Sequence, residues 1–501
     1  MKIFSAEQIK ACDAYTISEA GISSLDLMER AAGKCAEWIM MHMPKDAVFI
    51  VLCGTGNNGG DGLAITRMLH AQGYAVKAFL LQLGNGMSLD CKFNLQRLQK
   101  AGEDLVETLQ PEALITDIPE NIIIIDAILG TGANREAEGW LARFIRYINQ
   151  TPNKKIAIDI PSGMPADTVP RAGAELLRAD HTLSFQFCKQ TFLHPETGAY
   201  TGQVEILDIG LSTTYVEATS THLYTIDEKL ARKHYLPRMP FTHKGTFGTA
   251  LIVGGSYGMI GAAVLAVKAA ARAGAGKVRA IVPEVGYHIM QISVPEAMCI
   301  TSGERFITDI AGCGEANAIG IGPGMGTNDK TAKAFATFIE ALKQPVLLDA
   351  DALNLLAKQP DLLHKLPPHC ILTPHPKEFE RMFGKTANTQ RRLELARSQA
   401  MRYNFYIVLK DRHTAVLTPE GDCYYNLTGN AGLATGGSGD VLAGIITGLL
   451  AQGYTSFAAS ILGVYLHGLA GDFASFEHSK EAMLAGDITI QLGKAFKTLE
   501  I

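Results

Sequence analysis

The chain has 501 residues, 47% of them hydrophobic and 19% charged, with a formal net charge of −5. That length exceeds one ordinary hydrophobic core, so two domains, three at most, are expected. The balance excludes a disordered chain, and no basic block offers a footing for nucleic acid. Fifty glycines against two tryptophans fit an α/β enzyme with many tight strand-to-helix turns. The nine cysteines stand singly, without CxxC or a metal-type pairing with histidine, as reduced thiols of a cytoplasmic protein do. The opening MKIFSAEQIKACDAYTISEA carries Glu7, Asp13 and Glu19 and lacks the apolar core of a signal peptide. No uncharged apolar run is expected to reach the ~18 residues that cross a bilayer, so no membrane partner is expected.

Ser5 to Met43 has helical spacing and precedes the apolar run Ala47 to Cys53. The glycine-rich loop GTGNNGGDG, Gly54 to Gly62, comes next. It formally matches the dinucleotide fingerprint GxGxxG, a weak signal alone. The ribose-binding acid expected after the next strand is missing, because that strand ends Leu81-Gln82-Leu83-Gly84-Asn85. An ordinary hydride-transfer site is therefore disfavoured. Strand-like runs continue at 75–83, 121–129, 154–160 and 203–210, separated by amphipathic stretches such as LAITRMLHAQGY. Short Ile/Val runs without in/out alternation predict strands buried on both faces of a largely parallel sheet, a doubly wound α/β domain. Asp126 ends the run NIIIID and precedes Gly130-Thr131-Gly132; Asp159 lies in IAIDIPSG, before Ser162 and Gly163. Ligands of an open α/β sheet gather at the carboxyl ends of strands, so these loops should converge. The plain alternative is that each Asp caps a helix or forms a turn.

The pattern fades after Leu211, where STTYVEATSTHLYTIDE reads as a linker or edge segment. The boundary falls near residue 217, giving domains 1–217 and 222–501. A second α/β series follows: ALIVGG, the Ala-rich helix GAAVLAVKAAARAGAG, then KVRAIVP, AIGIGPG, PVLLDAD, CILTPHP and FYIVLKD, closed by a helix-rich stretch from Asp440 to Ala474. Within it NAGLATGGSGD, Asn430 to Asp440, leads straight into an apolar helix. Gly436, Gly437 and Gly439 can turn backbone N–H groups toward a phosphate, with the helix end adding positive potential. Asp440 at the helix start can deprotonate a substrate hydroxyl facing that phosphate. A glycine-rich helix entry with an N-capping Asp is the structural alternative. His467, in an apolar helical run, reads as a packing residue.

CGTGNNGGDG, IDAILGTG and DIPSG together resemble the YjeF N-terminal domain, the NAD(P)H-hydrate epimerase, over essentially residues 1–215. The resemblance implies that Asn57, Asn58, Gly59, Gly60 and Asp61, the loop Gly130, Thr131, Gly132, Ala133, Asn134, Arg135 and Glu136, and Asp159 bind the hydrated nicotinamide nucleotide. It also implies that Asn58, Asp126 and Ser162 give oxygen ligands to a potassium ion, a donor set suited to an alkali cation. Asp159 is then the acid/base candidate, and Lys189 a nearby cation with an exposed or structural role.

HKGTFG, GGSYGMIGAA, GPGMG, DADALN, HPKEFER and ATGGSGD resemble the ribokinase-like fold, and more narrowly the ADP-dependent NAD(P)H-hydrate dehydratase, over residues 240–445. That resemblance implies that Ala262, a glycine of the GPGMG loop (Gly324 or Gly326) and His375, Pro376, Lys377, Glu378, Phe379, Glu380 and Arg381 contact the hydrate. It implies that Lys410, Asp411, Arg412, His413 and Thr414, with Asn430, Ala431, Gly432, Leu433, Ala434, Thr435, Gly436, Gly437, Ser438 and Gly439, hold the adenine nucleotide, and that Asp440 is catalytic. Asp411-Arg412-His413 departs from the small residue expected after Lys410, and Leu433 and Lys377 replace frequent Met and Gly. The implied fold is α/β throughout, Rossmann-like and then ribokinase-like. The implied activity is bifunctional repair of hydrated NADH and NADPH, with potassium at the first site, ADP as co-substrate and magnesium beside it. Its partners are small molecules, and a homo-oligomer is expected. The rival reading is a vitamin kinase of the same fold fused to a silent nucleotide-binding scaffold.

Overall fold

Four short strands in the first part of the chain, VFIVLC, AVKAFLL, IIIIDA and KIAI, are mostly apolar, and this dictates that they lie at the centre of a sheet. A computed structural model describes residues 1–84, 86–116, 118–132, 136–312 and 316–500. By its contacts the chain divides into two units, Lys2–Thr221 and the residues from His222 onward, with Met1 grouped with the second. The first unit contains β1 (Val48–Cys53), β2 (Ala75–Leu81), β3 (Val106–Leu109), β4 (Ile122–Ala127), β5 (Lys155–Ile158), β6 (His181–Phe185) and β7 (Gln203–Leu207). They form one sheet in the order β3-β2-β1-β4-β5-β6-β7, with every pairing parallel.

Both faces of this sheet are covered. Phe49, Val51 and Cys53 of β1 pack with Leu63 and Ile65 of the helix Asn57–Ala71. Ile50 and Leu52 pack with Phe144, Ile145 and Ile148 on the opposite face. Each such side chain contributes roughly 1.5–3 kcal/mol on burial, so a one-residue slip would only exchange one buried set for another. That explains the absence of alternation in the sequence. Strands β3 and β6 escaped the sequence reading because VETL and HTLSF are short and polar-rich. The order reverses between β1 and β4, which makes their carboxyl ends the switch point of the sheet.

The second unit contains β8 (Leu223–Ile226), β9 (Thr249–Val253), β10 (Lys277–Val282), β11 (Ala297–Thr301), β12 (Ala318–Ile321), β13 (Leu347–Leu348), β14 (Ile371–Leu372), β15 (Tyr406–Leu409), β16 (Ala415–Leu417) and β17 (Cys423–Asn426). The order is β11-β10-β9-β12-β13-β14-β15-β16-β17-β8. Only the β15–β16 and β16–β17 pairings are antiparallel among the described residues. The segment after Leu211 is a short helix, Thr213–Ala218, followed by β8, which pairs with β17 as the outermost strand. The Thr-rich stretch thus supplies a sheet edge.

The helices Ile260–Arg272 and Ser438–Ala451 approach closely because glycines line the contact. A Cβ on Gly444 would stand 2.2 Å from the Ala266 carbonyl oxygen, and one on Gly448 would stand 2.6 Å from that of Ala270. The helix Ser456–Ala482 is, against the sequence expectation, long and apolar enough to cross a membrane by length and composition. However, 78% of its most apolar window is buried within the protein, where Ile461, Leu462 and Leu466 join Val441, Ile445 and Leu449 in one cluster. It is a core helix. The eight described cysteines are free thiols.

Gly444→Val should push the two glycine-lined helices apart and destabilise the second unit by ~1–3 kcal/mol or more. Chemical denaturation of the full chain measures this, and an unchanged midpoint would mean that the contact yields freely.

Candidate active sites

In the first unit, the turn after β1 ends sooner than the glycine spacing suggests. Gly54 to Gly56 form the turn, and Asn57 to Asp61 are already the first turn of the helix Asn57–Ala71. Gly59 must lack a side chain there, since a Cβ would stand 1.8 Å from the Gly54 carbonyl oxygen. Asn57 is exposed, whereas Asn58, Gly59, Gly60 and Asp61 are buried. The register Leu52↔Asp126 and Asp126↔Ala157 brings the ends of β1, β4 and β5 side by side.

Asn58, Asp126 and Ser162 meet at these ends. The Ser162 hydroxyl donates to Asp126 Oδ1 at 2.6 Å, and its backbone N–H to Oδ2 at 2.8 Å. Asn58 Nδ2 donates to the carbonyls of Leu129 (3.0 Å) and Ile158 (3.2 Å). Its Oδ1 is buried with no hydrogen-bond partner. Burial pushes the Asp126 carboxyl up to about 6, against the lowering by hydrogen bonds from Ser162 and the Ile128 N–H.

Asp159 sits beside this group in a tight turn. Its φ is +66°, and the Ile160 N–H reaches back to the Ile158 carbonyl at 2.8 Å, a turn that is rare and strained for a residue with a Cβ. Gln186, with φ +56°, repeats the device after β6. Lys189 follows it and is not exposed: at 1% accessibility it donates to Asp159 Oδ1 at 2.8 Å, to Ser184 Oγ at 2.7 Å and to the Phe185 carbonyl at 3.0 Å. The Thr131 N–H donates to the other Asp159 oxygen at 3.1 Å. Burial works against the Asp159 anion, but Lys189 and the hydrogen bonds outweigh it and hold the carboxyl below its ordinary value. Asp61, by contrast, is pushed well above its ordinary value by burial and then by Asp159. Gly130 lies against the Asn58 side chain and Gly132 is exposed. Glu136 is engaged by Arg171. Ala133, Asn134 and Arg135 lie outside the described residues.

In the second unit, β9, β12, β13, β14 and β15 all end on one edge. Gly324, with φ +60°, has room only for hydrogen on its α-carbon, because a Cβ would meet the Met259 carbonyl oxygen at 2.6 Å and the Ala262 methyl at 3.0 Å. The Gly326 N–H donates to Asp351 Oδ2 at 2.9 Å. His375 caps the helix Pro376–Phe383, Nδ1 accepting from Lys377 N at 3.1 Å and Glu378 N at 3.3 Å. Of the residues expected on the hydrate, Phe379 is fully buried against Phe383. Its place one turn from the cap points it into the core. Lys377 is exposed, Glu378 is buried, Glu380 pairs with Arg392, and Arg381 donates to Asn354 at 2.7 Å.

The glycine loop is braced from behind. Asn430 Nδ2 donates to Gly471 O at 3.0 Å and Asp472 Oδ1 at 2.9 Å, and Asn430 Oδ1 accepts from Gly432 N at 2.9 Å. Arg412 donates to the Gly429 carbonyl at 2.9 Å, His413 meets the Asn426 carbonyl, and Asp411 pairs with Arg392. Gly432 is buried against Met483, and Leu433 packs on Gly471, while Ala434 and Gly436 are exposed and Thr435 is partly so. Gly437, at φ +91°, turns the chain into the helix Ser438–Ala451. His467 is more than packing: its Nε2 lies 3.0 Å from the Ser438 carbonyl and 3.2 Å from the Ser438 hydroxyl. Burial lowers its pKa to about 4, so the imidazole is neutral.

Asp440 faces a charged group that the sequence reading assembled only in part. Lys410 Nζ donates to Asp349 Oδ1 at 2.8 Å, which also accepts from Thr373 Oγ1 at 2.7 Å. Ala350, between Asp349 and Asp351, has φ +47°. A Cβ on Gly439 would stand 3.2 Å from Lys410 Nζ, so loop, ammonium and carboxylates adjoin. The Asp440 side chain accepts no hydrogen bond among the described residues. Burial, then the Asp349 charge, push its carboxyl up to about 7, with Lys410 acting the other way. Asp349 received no role from the sequence, though it ends a strand just as Asp126 does.

Two glycine-turned helix entries, each beside buried carboxylates and a lysine, equip this chain as a nucleotide-handling enzyme. Residues 24–191 match the model of the YjeF-related protein N-terminus, and residues 250–493 that of the NAD(P)H-hydrate dehydratase. The bifunctional NAD(P)H-hydrate repair enzyme Nnr of Moorella thermoacetica is 35% identical, the match covering 100% of this chain and 97% of that one. That of Escherichia coli is 32% identical over 97% of this chain and 92% of its own. A crystal structure of the ADP/ATP-dependent NAD(P)H-hydrate dehydratase from Bacillus subtilis, co-crystallised with ATP and Mg2+, is 33% identical with a TM-score of 0.49, covering 56% of this chain and 100% of its own. The chain belongs to the bifunctional NAD(P)H-hydrate repair enzymes.

The raised carboxyl of Asp440 has a consequence for stability. Its ordinary value is 3.8 and its folded value about 7. Below about pH 4 the group is protonated folded or unfolded and costs nothing; between the two values the unfolded chain releases a proton that the folded chain keeps, so stability falls as pH rises. Asp440→Asn should therefore raise the thermal midpoint at about pH 8, and the gain should shrink steadily toward pH 4. Thermal unfolding across that range checks it, and a pH-independent difference would mean that the burial cost is absent.

Proposed function

We propose that residues 1–217 interconvert the R and S epimers of hydrated NADH and NADPH, and that residues 222–501 dehydrate the S form while ADP becomes AMP and phosphate. The full-length match to two bifunctional repair enzymes supports both halves. The observation that carries the second is Asp440, an unpartnered carboxyl at the mouth of a glycine loop beside Lys410. The scattered free cysteines are in keeping with a cytoplasmic site of action.

In dehydration, Asp440 takes the proton of the ring hydroxyl, and that oxygen attacks the terminal phosphorus of ADP, releasing AMP. The ring nitrogen's lone pair then expels phosphate, and loss of a proton from the adjacent ring carbon restores the double bond. Phosphate leaves far more readily than hydroxide, which is the reason for using ADP at all. The phosphoryl step asks for positioning and positive potential more than covalent help. Gly436, Gly437 and Gly439 supply N–H groups, and Lys410, oriented by Asp349, supplies charge. We assign Ala262, the Gly324–Gly326 turn and His375 to the hydrate. Among the described residues no group of three His, Cys, Asp or Glu side chains is set to hold a metal, so we assign magnesium to the nucleotide's own phosphates.

At the first site the donors fit potassium. Asn58 Oδ1 is buried without a partner, the Asn58 amide and the Ser162 hydroxyl share the Leu129 backbone, and that hydroxyl binds the Asp126 carboxylate; hard neutral and anionic oxygens suit an alkali cation. A potassium ion held by them would supply positive charge to the nucleotide's phosphate. Asn57, Asp61, Gly130, Thr131 and Gly132 line the same edge for the dinucleotide, and Asp159 is the group placed to move protons.

The full chain supplied with hydrated NADH and ADP should recover the absorbance of reduced nicotinamide and release phosphate in equal amounts; a stable phosphorylated substrate would indicate a kinase. Asp440→Asn should keep nucleotide binding and lose ~10²–10⁴-fold in dehydration. Because the base must be ionised, the parent's rate should rise as pH rises through about 7. Turnover by the variant at the parent's rate would remove Asp440 from the chemistry.

Asp126→Ala should weaken hydrate binding and abolish the dependence of epimer exchange on potassium. Chromatography of the two epimers, with potassium replaced by a large organic cation, reads this directly. Exchange by the variant that still responds to potassium would place the cation elsewhere.

A further inference from the structure

Asp13 stands on the helix Ala6–Ala20, outside every motif described above. Ile9, Cys12 and Thr16 on the same side of that helix are buried, and Ile9 and Cys12 pack with Phe187, two residues before Lys189. The Ser212 N–H donates to Thr16 Oγ1 at 2.9 Å on that same side, fixing the helix in place. The Asp13 carboxyl is thereby brought within the fields of both Asp159 and Lys189, and Asp61 lies within the field of Asp13. Neither Asp13 nor Asp61 accepts a hydrogen bond at its side chain among the described residues, although Asp61 is only 7% exposed. A second, unpaired carboxyl facing the ion pair is more than packing of the helix requires, since Asn or Leu there would avoid the burial cost.

We propose that Asp13 and Asp159 are the acid and the base of the epimerase site, an inference that rests on the epimerase reading above. Their environments divide the roles. Asp159 accepts from the Lys189 ammonium and the Thr131 N–H, which favours its anion. Asp13 has no donor and faces that anion, so it is the member that holds the proton. Burial, then the Asp159 charge, push its carboxyl up to about 7, with Lys189 opposing. Asp13 gives its proton to the ring hydroxyl as the C–O bond breaks; water departs and the nitrogen lone pair becomes the C=N bond. Water then adds to the other face of that carbon, the C=N electron pair returns to nitrogen, and Asp159 takes the proton that the incoming water loses. The proton has moved from Asp13 to Asp159; Asp159 then releases a proton to solvent and Asp13 takes one up, which restores the starting state for the next turnover.

The groups facing Asp13 are Asp159 on the turn after β5, Lys189 after β6, Asp61 on the helix Asn57–Ala71, and the neighbouring Cys12 thiol. Burial holds that thiol at about 11, so it stays neutral near pH 7. Because the acid must be protonated, epimer exchange by the parent should fall as pH rises past about 7, opposite in sign to the dehydration. The test uses the full chain with potassium and purified R epimer, following epimer exchange by chromatography across pH. Asp13→Asn, nearly isosteric, should lose ~10²–10⁴-fold in kcat with KM little changed and should lack the alkaline decline. Asp13→Glu should recover part of the rate, which a purely structural role would not allow. Exchange by Asp13→Asn at the parent's rate, or an unaltered pH profile, overturns the inference. So does a variant whose loss lies in KM and thermal midpoint and which Asp13→Glu does not rescue. A parent chain that exchanges no epimers removes the epimerase reading itself, and the inference with it.

Discussion

A parallel strand has one chemical end. When every neighbour runs the same way, all the carboxyl ends lie on one edge, and the loops that leave them must share it. Residues 54–62, 126–132 and 159–163 are far apart in sequence yet adjacent for this reason, as are 254–262, 322–326, 349–351, 373–378 and 410–414. Glycines enforce the closeness: Gly54, Gly59 and Gly324 each sit where a methyl group would overlap a backbone carbonyl. The chemistry of both units thus depends first on the direction of hydrogen-bonded strands and only then on particular side chains.

Given that convergence, the protein sets one residue type to different tasks by what it places nearby. Asp126 is buried but receives N–H and O–H donors, Asp159 is buried but paired with an ammonium, and Asp440 is half-buried with no hydrogen-bond donor among the described residues. The first therefore serves as a fixed acceptor, the second as a base held ionised at rest, and the third as a group poised to exchange its proton near neutrality. Lysine plays complementary parts. Lys189 is sealed within its site, whereas Lys410 is partly open toward the glycine loop, where an incoming phosphate can share it.

Much of this was legible in the sequence because it is local. Strand, glycine turn and helix follow one another within 54–62 and again within 430–440, and no tertiary information is needed to see an anion cradle there. What local pattern could not convey was which distant groups share an edge. Lys189 could be read as exposed or structural, because nothing around FCKQ reveals that a turn at Gln186 folds it onto Asp159. HPKEFER looked like a polar loop, whereas all but its histidine belong to a helix that begins at Pro376. Asp349 was passed over although its strand end is as telling as that of Asp126. The short strands VETL and HTLSF were missed because polar residues interrupt them and their pairing with neighbouring strands is not written in their own composition.

The core helix Ser456–Ala482 has the composition of a membrane span and the surroundings of a soluble interior. This is a matter of timing as well as of place. A stretch that apolar is a hazard while it is naked, inviting aggregation or mistaken delivery to a bilayer. In chain order it follows all ten strands of the sheet it helps to cover. During synthesis those strands emerge first and can assemble before the helix leaves the ribosome, so the segment meets its partner surface as soon as it appears. Moving it ahead of β9 by circular permutation would leave every native contact available and still expose the nascent chain to that hazard.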